Sequence, residues 1–330
     1  MRYRVLGRTG LKVSELGVGG HEYRRPLPTT LGRWGEIDLE RFMEKQPERN
    51  ELIGKAVEAG INYFDATQPE EAKSLGLALK ELGVRRDVYA AVMILRPFVR
   101  MAEISDKEWR DFIIDDVEDK LKLLQSDYAD ILNVHMPERG YTRERMSVAL
   151  EVFEELKEKG KIGSLGASSH EPRFLAELLR RYDCFDSVMI KYNYHLQEAR
   201  EVIFPLCKAL DVGVVIMKPL CWPYYGIPFM RFGAVEGEEK LPATPAQMCI
   251  RWILRSPEVS TVVPSMNSLN ELEENVAAIT KEVKTDEKLL DRYLKVAQGR
   301  QAREKLLKML EDRDIDVRHF AERTLDESYE

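Results

Sequence analysis

The chain has 330 residues, of which 44% are hydrophobic and 32% are charged, a balance typical of a folded globular protein. Fifty Lys and Arg against 57 Asp and Glu give a net charge of −7, which argues against a basic surface that binds nucleic acid or anionic membranes. Because no apolar stretch of about 18 residues occurs and no apolar segment follows the charged N-terminus, we expect no membrane span, no signal peptide and a cytoplasmic location.

Eight short apolar segments alternate with segments of helical length. They lie at 16–19, 62–65, 88–93, 129–135, 162–168, 187–191, 212–217 and 260–264. These segments are too continuously apolar to alternate with polar residues, so they predict a parallel sheet that is covered by helices. Eight such strand–helix units predict a single α/β domain, a (β/α)8 TIM barrel.

Two of the intervening helices carry N-terminal signals. Ser105 is placed to cap a helix that keeps apolar residues at helical spacing from Asp106 onward. Thr244 is followed by Pro245, a residue favoured in the first turn, and predicts a helix that continues to Leu254.

The ends of the chain add elements to the barrel. Residues 2–6 and 12–14 flank a Gly-Arg-Thr-Gly turn and predict an N-terminal β-hairpin that covers the bottom of the barrel. Residues 281–330 are rich in charge but keep leucines at helical spacing, so we expect amphipathic helices that pack on the barrel. We therefore divide the chain into a barrel, 1–280, and a C-terminal helical extension, 281–330.

Two long segments, 20–48 and 219–243, follow the first and seventh predicted strands. Both therefore rise from the C-terminal face, where barrels carry their chemistry. Aromatic residues on the second segment are compatible with a substrate pocket or with packing of the segment on the barrel.

Polar residues follow the ends of most predicted strands. They are His21, Asp65, His135, Ser168, Ser169, His170, Lys191, Lys218 and Ser265. Because the C-terminal ends of all strands in a barrel open onto one mouth, we expect these side chains to lie near one another.

The four cysteines are widely spaced and form no Cys-x-x-Cys pair. They are Cys184, Cys207, Cys221 and Cys249. This spacing argues against a zinc site, an iron–sulfur cluster and a disulfide scaffold, so we expect reduced core thiols and no metal.

Nine segments resemble the aldo-keto reductase family, in the order in which that family has them. They are LGRTGLKVSELGVG at 6–19, AGINYFDAT at 59–67, LGLALK at 75–80, DYADILNVHMPE at 127–138, GKIGSLGASSHE at 160–171, YN at 192–193, IMKPL at 216–220, TPAQMCIRWIL at 244–254 and VVPSMNSLNELEENVAA at 262–278. The resemblance covers nearly all of residues 1–280. It implies hydride transfer between NAD(P)(H) and a small carbonyl or alcohol substrate, with a catalytic tetrad of Asp, Tyr, Lys and His.

The resemblance places two tetrad residues in this chain, Asp65 and His135, as catalytic residues. The family's Tyr follows its Asp within a short Tyr-Gly loop, whereas Asp65 is followed by Ala-Thr-Gln-Pro-Glu-Glu. The family's Lys ends the third strand, where this chain has Met93. Because loss of a proton donor lowers a rate by about 10² to 10⁴, we expect weak reductase activity unless another group substitutes.

Two substitutes for the missing proton donor are compatible with the sequence. His135 has an imidazole that titrates near neutral pH, and Tyr23 stands on the long segment after the first strand. The alternative for His135 is a structural imidazole. The alternative for the whole protein is a non-catalytic barrel that binds a dinucleotide or another ligand, with a lyase or isomerase as a third and weaker interpretation.

The family's cofactor site is matched in part. The residues that the resemblance assigns to it are Ser168, Ser169, Lys191, Pro219, Leu220, Ser265, Asn267, Glu274 and Asn275. Lys191 stands where the family has a Gln, and a helix N-terminus after Pro264 would offer N–H groups to an anion. Glu271 stands where many NADPH-preferring members have an Arg, and its carboxylate would repel a 2′-phosphate, so NADH is favoured. The alternative for residues 265–275 is an ordinary helix cap.

Two further patterns at the strand ends are similar to catalytic motifs. Ser168, Ser169 and His170 are adjacent, so they cannot form a nucleophile–base–orienter triad. Lys191 and Lys218 are compatible with a Schiff-base lysine, but a surface or phosphate-contacting lysine is commoner.

Overall fold

The computed structural model describes residues 1–20, 43–99, 103–136, 142–220, 243–266 and 268–297, and every structural statement below concerns these residues. The long segments 21–42 and 221–242, and residues 298–330, lie outside this part of the chain. The predictions for His21, Tyr23 and Asn267 concern residues outside the described ranges.

An antiparallel hairpin of β1 (Tyr3–Val5) and β2 (Lys12–Ser14) opens the chain, as predicted. Parallel strands then follow in a sheet whose spatial order is the chain order. They are β3 (Tyr63–Ala66), β4 (Tyr89–Ile94), β5 (Ala129–His135), β6 (Ile162–Ser169), β7 (Ser187–Lys191), β8 (Gly213–Met217) and β9 (Val259–Val263).

Residues 16–19 close this sheet into a barrel by bridging its two edge strands. The amide of Gly17 donates to the carbonyl of Val262 on β9 at 2.8 Å, and the amide of Val18 donates to the carbonyl of Tyr63 on β3 at 2.9 Å. The predicted first strand is thus reduced to isolated bridges, but it occupies the predicted place. The predicted (β/α)8 TIM-barrel class is confirmed.

Helices connect the strands on the outside of the barrel. They are α1 (Gln46–Glu58), α2 (Pro69–Leu82), α3 (Arg96–Val99), α4 (Trp109–Leu124), α5 (Arg143–Glu158), α6 (Pro172–Arg181), α7 (Glu198–Val202), α8 (Phe204–Leu210), α9 (Pro245–Ile253), α10 (Leu269–Thr280) and α11 (Glu287–Ala297). In this part of the chain, none of them is both long enough and apolar enough to cross a membrane.

The two predicted helix starts have different outcomes. The cap at Thr244 is confirmed: its side chain accepts a hydrogen bond from the Gln247 amide, and the Gln247 side chain accepts one from the Thr244 amide. The cap at Ser105 is wrong, because α4 begins only at Trp109 with Glu108 at the N-cap. Ser105 instead donates its hydroxyl proton to the Glu108 carboxylate at 2.6 Å, within a turn that precedes the helix.

The hairpin fills the N-terminal end of the barrel. Leu6 and Val13 are fully buried and belong to the apolar cluster inside the barrel. The fit is close, because a Cβ on Gly213 would lie 2.5 Å from a methyl carbon of Leu6. The barrel is therefore closed at its N-terminal end, and its chemistry is left to the C-terminal mouth.

Helix α11, which follows residue 280, packs on the outside of the barrel. Leu290 is fully buried, and the hydroxyl of Tyr194 donates to the carboxylate of Asp291 at 2.8 Å. Burial and the neighbouring carboxylate raise the pKa of this phenol. The division of the chain at residue 280 stays a prediction.

Candidate active site

Asp65 stands at the C-terminal end of β3, two residues after Tyr63 and on the same face of the strand. Its side chain is buried, and its Oδ2 accepts a hydrogen bond from the Thr67 hydroxyl at 3.2 Å. The carboxylate is thereby tied to the loop that follows its own strand.

Two buried charged side chains fix that loop. The Thr67 amide donates to Glu71 Oε2 at 2.6 Å, and the Thr67 carbonyl accepts from Lys120 Nζ at 2.6 Å. Glu71 lies on α2 and is fully buried, and Lys120 lies on α4 and is 4% exposed. Both main-chain polar groups of Thr67 are thus held by hydrogen bonds. This restricts the direction in which the Thr67 hydroxyl can donate to Asp65.

Tyr63 is the phenol that the strand alternation places beside Asp65, and the sequence analysis missed it. Its ring is fully buried in the apolar cluster inside the barrel. Burial raises the pKa of the Tyr63 hydroxyl, and the negative charge of Asp65 raises it further. A phenol of raised pKa is a poor proton donor, so we do not assign Tyr63 the role of the family's tetrad Tyr.

Met93, which the sequence resemblance places where the family has its Lys, lies inside the barrel. Its side chain is 3% exposed and contacts the interior apolar cluster, and in the sheet register it stands opposite Asn133 of β5. An apolar thioether therefore occupies the strand between those that carry Asp65 and His135.

Two imidazoles and an ammonium group meet on the other side of the mouth. His135 ends β5, and its ring centroid lies 5.8 Å from that of His170, with an interplanar angle of 67°. Lys218 Nζ lies 2.7 Å from Nε2 of His170. Nothing in the sequence assigns a role to His170, because the residues that it contacts, His135 and Lys218, are remote from it in the chain.

Ser168 and Ser169 end β6 and are both almost fully buried. Ser169 Oγ accepts a hydrogen bond from the Glu171 amide at 3.2 Å. Ser168 Oγ has no hydrogen-bond partner among the described residues. Lys191 ends β7, and its ammonium group lies 3.3 Å from Glu171 Oε1 with only 13% of the side chain exposed. Lys191 is therefore not the surface lysine that the sequence allowed.

The last strand–helix unit carries the remaining predicted cofactor residues. Ser265 bridges to Gly19 on the closing segment. The predicted helix N-terminus after Pro264 is α10, capped by Ser268, whose hydroxyl accepts from the Glu271 amide at 3.3 Å.

Within α10, Asn275 is 2% exposed, and its Oδ1 has no hydrogen-bond partner within the described ranges. Glu274 is half-buried on the same helix. On the neighbouring unit, Pro219 is buried and Leu220 is half-buried directly after Lys218.

The described cysteines, Cys184, Cys207 and Cys249, are not in disulfide bonds, and Cys184 is only half-buried. Burial raises the pKa of Cys184 to about 11 and that of Cys207 to about 12, and Cys249 is fully buried. No group of three or more His, Cys, Asp or Glu side chains that could hold a metal occurs in the part of the chain that the structure describes.

A parallel strand–helix barrel with Asp65 and His135 at its mouth is a TIM-barrel enzyme scaffold. The chain belongs to the aldo/keto reductase family, whose family model matches residues 31–222 and 235–291. The predicted family membership is confirmed. With it comes the general class, because members of this family are oxidoreductases that use NAD(P)(H) and act on small carbonyl substrates.

Individual relatives have low sequence identity to this chain, but the matches cover most of its length. The chain is 28% identical over 298 residues to L-galactose dehydrogenase of Arabidopsis thaliana, a match that covers 84% of this chain and 88% of the relative. It is 26% identical over 227 residues to an aldo-keto reductase of Bacillus subtilis, covering 67% and 62%. The holo form of an aldo-keto reductase from Bacillus halodurans superposes with a TM-score of 0.64 at 25% identity, covering 91% of this chain and 99% of that one.

Proposed function

We propose that the protein interconverts a small carbonyl compound and its alcohol with NAD(P)(H), at an active site in which two of the family's four catalytic positions are changed. The observation that carries the proposal is the pair of Asp65 and His135, which end two strands of one barrel mouth with Met93 on the strand between them. Asp65 and His135 keep the family's residue types, and Met93 keeps the family's place without its ammonium group.

Two buried polar atoms, one at the end of β6 and one on α10, support a bound dinucleotide. Ser168 Oγ and Asn275 Oδ1 are both buried without a hydrogen-bond partner in the described part of the chain, and buried polar groups in proteins are normally paired. A ligand with amide and hydroxyl donors would satisfy both. Lys191 would donate to the nicotinamide amide, and Ser169 would support it.

The rest of the dinucleotide would lie along the last two strand–helix units. The residues that we assign to it are Pro219, Leu220, Ser265, Asn267 and Glu274. Glu271, in the first turn of α10, would stand near the adenosine ribose, and its negative charge disfavours a 2′-phosphate. We therefore propose NADH as the preferred cofactor.

When it is bound, the cofactor supplies or accepts the hydride at the carbonyl carbon. The chain must supply the proton at the carbonyl oxygen. His135 is a mouth residue whose imidazole can hold that proton, whereas the phenol of Tyr63 is buried and has a raised pKa, which makes it a poor proton donor. Asp65, whose carboxylate accepts a hydrogen bond from Thr67, would place a fixed negative charge at the same barrel mouth.

A second candidate function is a non-catalytic barrel that binds a dinucleotide or another ligand. The observation that favours it is the burial of Met93 within the apolar interior, which leaves Asp65 without the lysine that the family pairs with it. Such a protein would bind the cofactor but would not catalyse the reduction or oxidation of a substrate.

Fluorescence titration with NADH and NADPH, followed by a panel of carbonyl substrates, separates the two candidates. Under our proposal, NADH binds below millimolar concentration and more tightly than NADPH, and the variant His135→Gln loses about 10²-fold or more of kcat. Binding without turnover would favour the second candidate. If neither nucleotide binds, the proposal is wrong.

We also propose a cytoplasmic location and a division into the barrel, 1–280, and the extension, 281–330. The burial of Leu290 and the hydrogen bond from Tyr194 of the barrel to Asp291 of the extension support an extension that folds onto the barrel. Limited proteolysis tests the division, since we expect the first cuts C-terminal to residue 280 to leave an active barrel.

A further inference from the structure

A cavity of about 460 Å³ lies outside the barrel, between α7 and α8 on one side and the C-terminal end of α9 on the other. Its lining includes the aromatic rings of Tyr192, Phe204 and Trp252. These rings belong to the apolar layer between strands and helices, and not to the cluster inside the barrel. The volume is in the range of small-molecule sites, about 300 to 1,000 Å³. The cavity is therefore separate from the barrel mouth.

The aromatic wall of the cavity is fixed by contacts among its own rings. Tyr192 stacks on Trp252 with ring centroids 5.2 Å apart and an interplanar angle of 28°. The ring of Phe204 meets Tyr192 edge-on at 5.0 Å, and that of Tyr194 meets Trp252 edge-on at 5.2 Å. Each ring is held by at least one other, so the wall is formed before any ligand arrives.

The hydroxyl of Tyr192 is a buried polar group beside the cavity. The residue is fully buried, and its hydroxyl forms no hydrogen bond within the described ranges, although buried hydroxyls normally have a partner. Burial raises the pKa of this phenol, while Ser256 and Arg200 act in the opposite direction. Both residues therefore lie close to the hydroxyl, and both line the cavity. Three groups that can donate a hydrogen bond thus surround one part of the cavity.

The charges around this part of the cavity favour an anion. Arg200 is exposed on α7 and forms no ion pair with any described carboxylate. Two carboxylates also line the cavity. Glu287 is paired with Arg255 at 2.5 Å. The charge of Glu258 raises the pKa of the Tyr192 phenol, but its effect is smaller than that of Arg200. Positive charge therefore predominates beside the Tyr192 hydroxyl.

We propose that this cavity binds a small organic carboxylate that has a flat apolar body. The carboxylate accepts hydrogen bonds from the Tyr192 hydroxyl, the Ser256 hydroxyl and the Arg200 guanidinium, whose planar donors match two carboxylate oxygens. The body contacts the aromatic wall and fills the space that a small inorganic anion would leave. The inference is independent of the proposed function, because none of these residues belongs to the proposed catalytic or cofactor residues.

The test is calorimetric titration of the full chain with 1-naphthoate, with the neutral 1-naphthalenemethanol and with acetate. We expect 1-naphthoate to bind at one site, and each of the other two compounds to bind at least about tenfold more weakly. We expect Tyr192→Phe and Arg200→Gln each to weaken the binding of 1-naphthoate by about tenfold, since each removes a hydrogen bond to a charged group.

Two matched controls remove the same groups elsewhere. Arg180→Gln changes an exposed arginine on α6, and Tyr182→Phe removes another buried hydroxyl that has no hydrogen-bond partner among the described residues. Both variants should bind 1-naphthoate as the wild type does. Thermal unfolding distinguishes binding from structure, because Tyr192→Phe removes a hydroxyl without a protein partner and should not lower the Tm.

Three outcomes would overturn the inference. The first is no binding of 1-naphthoate at millimolar concentration, and the second is equal affinity for 1-naphthoate and its neutral analogue. The third is displacement of 1-naphthoate by excess NADH with its affinity unchanged in Arg200→Gln, which would place the probe at the barrel mouth. Arg200 is exposed, so Arg200→Gln decides the question even if Tyr192→Phe fails to fold.

Discussion

The ammonium group of Lys120 donates a hydrogen bond to the main-chain carbonyl of Thr67 at 2.6 Å, across 53 positions of sequence. Glu71 accepts a hydrogen bond from the Thr67 amide, so Lys120 and Glu71 together hold the main chain of Thr67. The hydroxyl of Thr67 donates to Asp65. A buried lysine on an outer helix is thereby connected to a predicted catalytic carboxylate through a single residue.

We expect Lys120→Met to destabilise the protein by about 2 kcal/mol, because it leaves a buried carbonyl without its donor. We also expect kcat to fall more than KM rises, since Asp65 would be held less firmly. Urea unfolding and steady-state kinetics measure the two effects. The control is Lys122→Met on the same helix, whose side chain is 73% exposed and whose loss should change neither quantity. Equal behaviour of the two variants would contradict the role of Lys120.

Thr67→Val removes the hydroxyl that donates to Asp65 and keeps the shape of the side chain. We expect kcat to fall by about tenfold, in line with the loss of one hydrogen bond to a charged group. The pH profile of kcat should shift as well, because the charge of Asp65 is then less well compensated. Thr67→Ser keeps the hydroxyl and should restore both. If valine and serine variants share one pH profile, Thr67 does not position Asp65.

Lys218 has a left-handed backbone, with φ of 56°, and Lys218→Gly is therefore expected to raise stability. For a non-glycine residue, the left-handed backbone conformation is about 1 to 2 kcal/mol higher in energy than the right-handed one. Glycine avoids most of this energy difference because it has no Cβ. We therefore expect a gain of about 1 kcal/mol in the free energy of unfolding. Asp211→Gly, at a left-handed helix end with φ of 52°, should stabilise similarly. Destabilisation by Lys218→Gly would show that its ammonium contact outweighs the backbone strain.

The thiols should react slowly with iodoacetamide at pH 8, because the pKa of Cys184 is about 11 and that of Cys207 about 12. Only the thiolate reacts, so alkylation should accelerate as pH rises toward 11. The measurement is mass spectrometry over a pH series in a Cys221→Ser background. Fast labelling of Cys184 at pH 8 in folded protein would contradict the burial that we describe.

These raised pKa values also affect stability. The ordinary value for the thiol is 9.0, so the folded state binds more protons than the unfolded state between pH 9 and the raised values. The stability that the neutral thiols provide is complete below pH 9 and is lost as pH rises through about 11 and 12. Urea midpoints measured from pH 8 to pH 11 should therefore decline, and less so in Cys207→Ala.

The sequence predicts strands well where the pattern is local and strong. The bounds of β5 and β7 agree with the predicted 129–135 and 187–191. Sequence could not show that Ser105 bonds to Glu108 in place of capping, because both arrangements place the same residue types at the same spacing.

The site is less predictable than the strands for a physical reason. Lys218 and His170 are 48 positions apart, and their contact depends on the left-handed φ of Lys218, which a lysine before a proline does not suggest. Likewise, nothing local indicates that Lys120 reaches Thr67. Long-range hydrogen bonds of flexible side chains are set by the packing of the whole barrel and not by the spacing of residues along the chain.

The N-terminal segment has a further consequence for how the protein must assemble. Its residues 16–19 pair with β3 on one side and with β9 on the other, while Leu6 fills the barrel floor. Residues 16–19 are synthesised well before β9, which lies more than 240 positions later in the chain, so the seam can close only after β9 has been made. A barrel that lacks its first 20 residues would present two open strand edges, which are sites where sheets of separate molecules pair and aggregate.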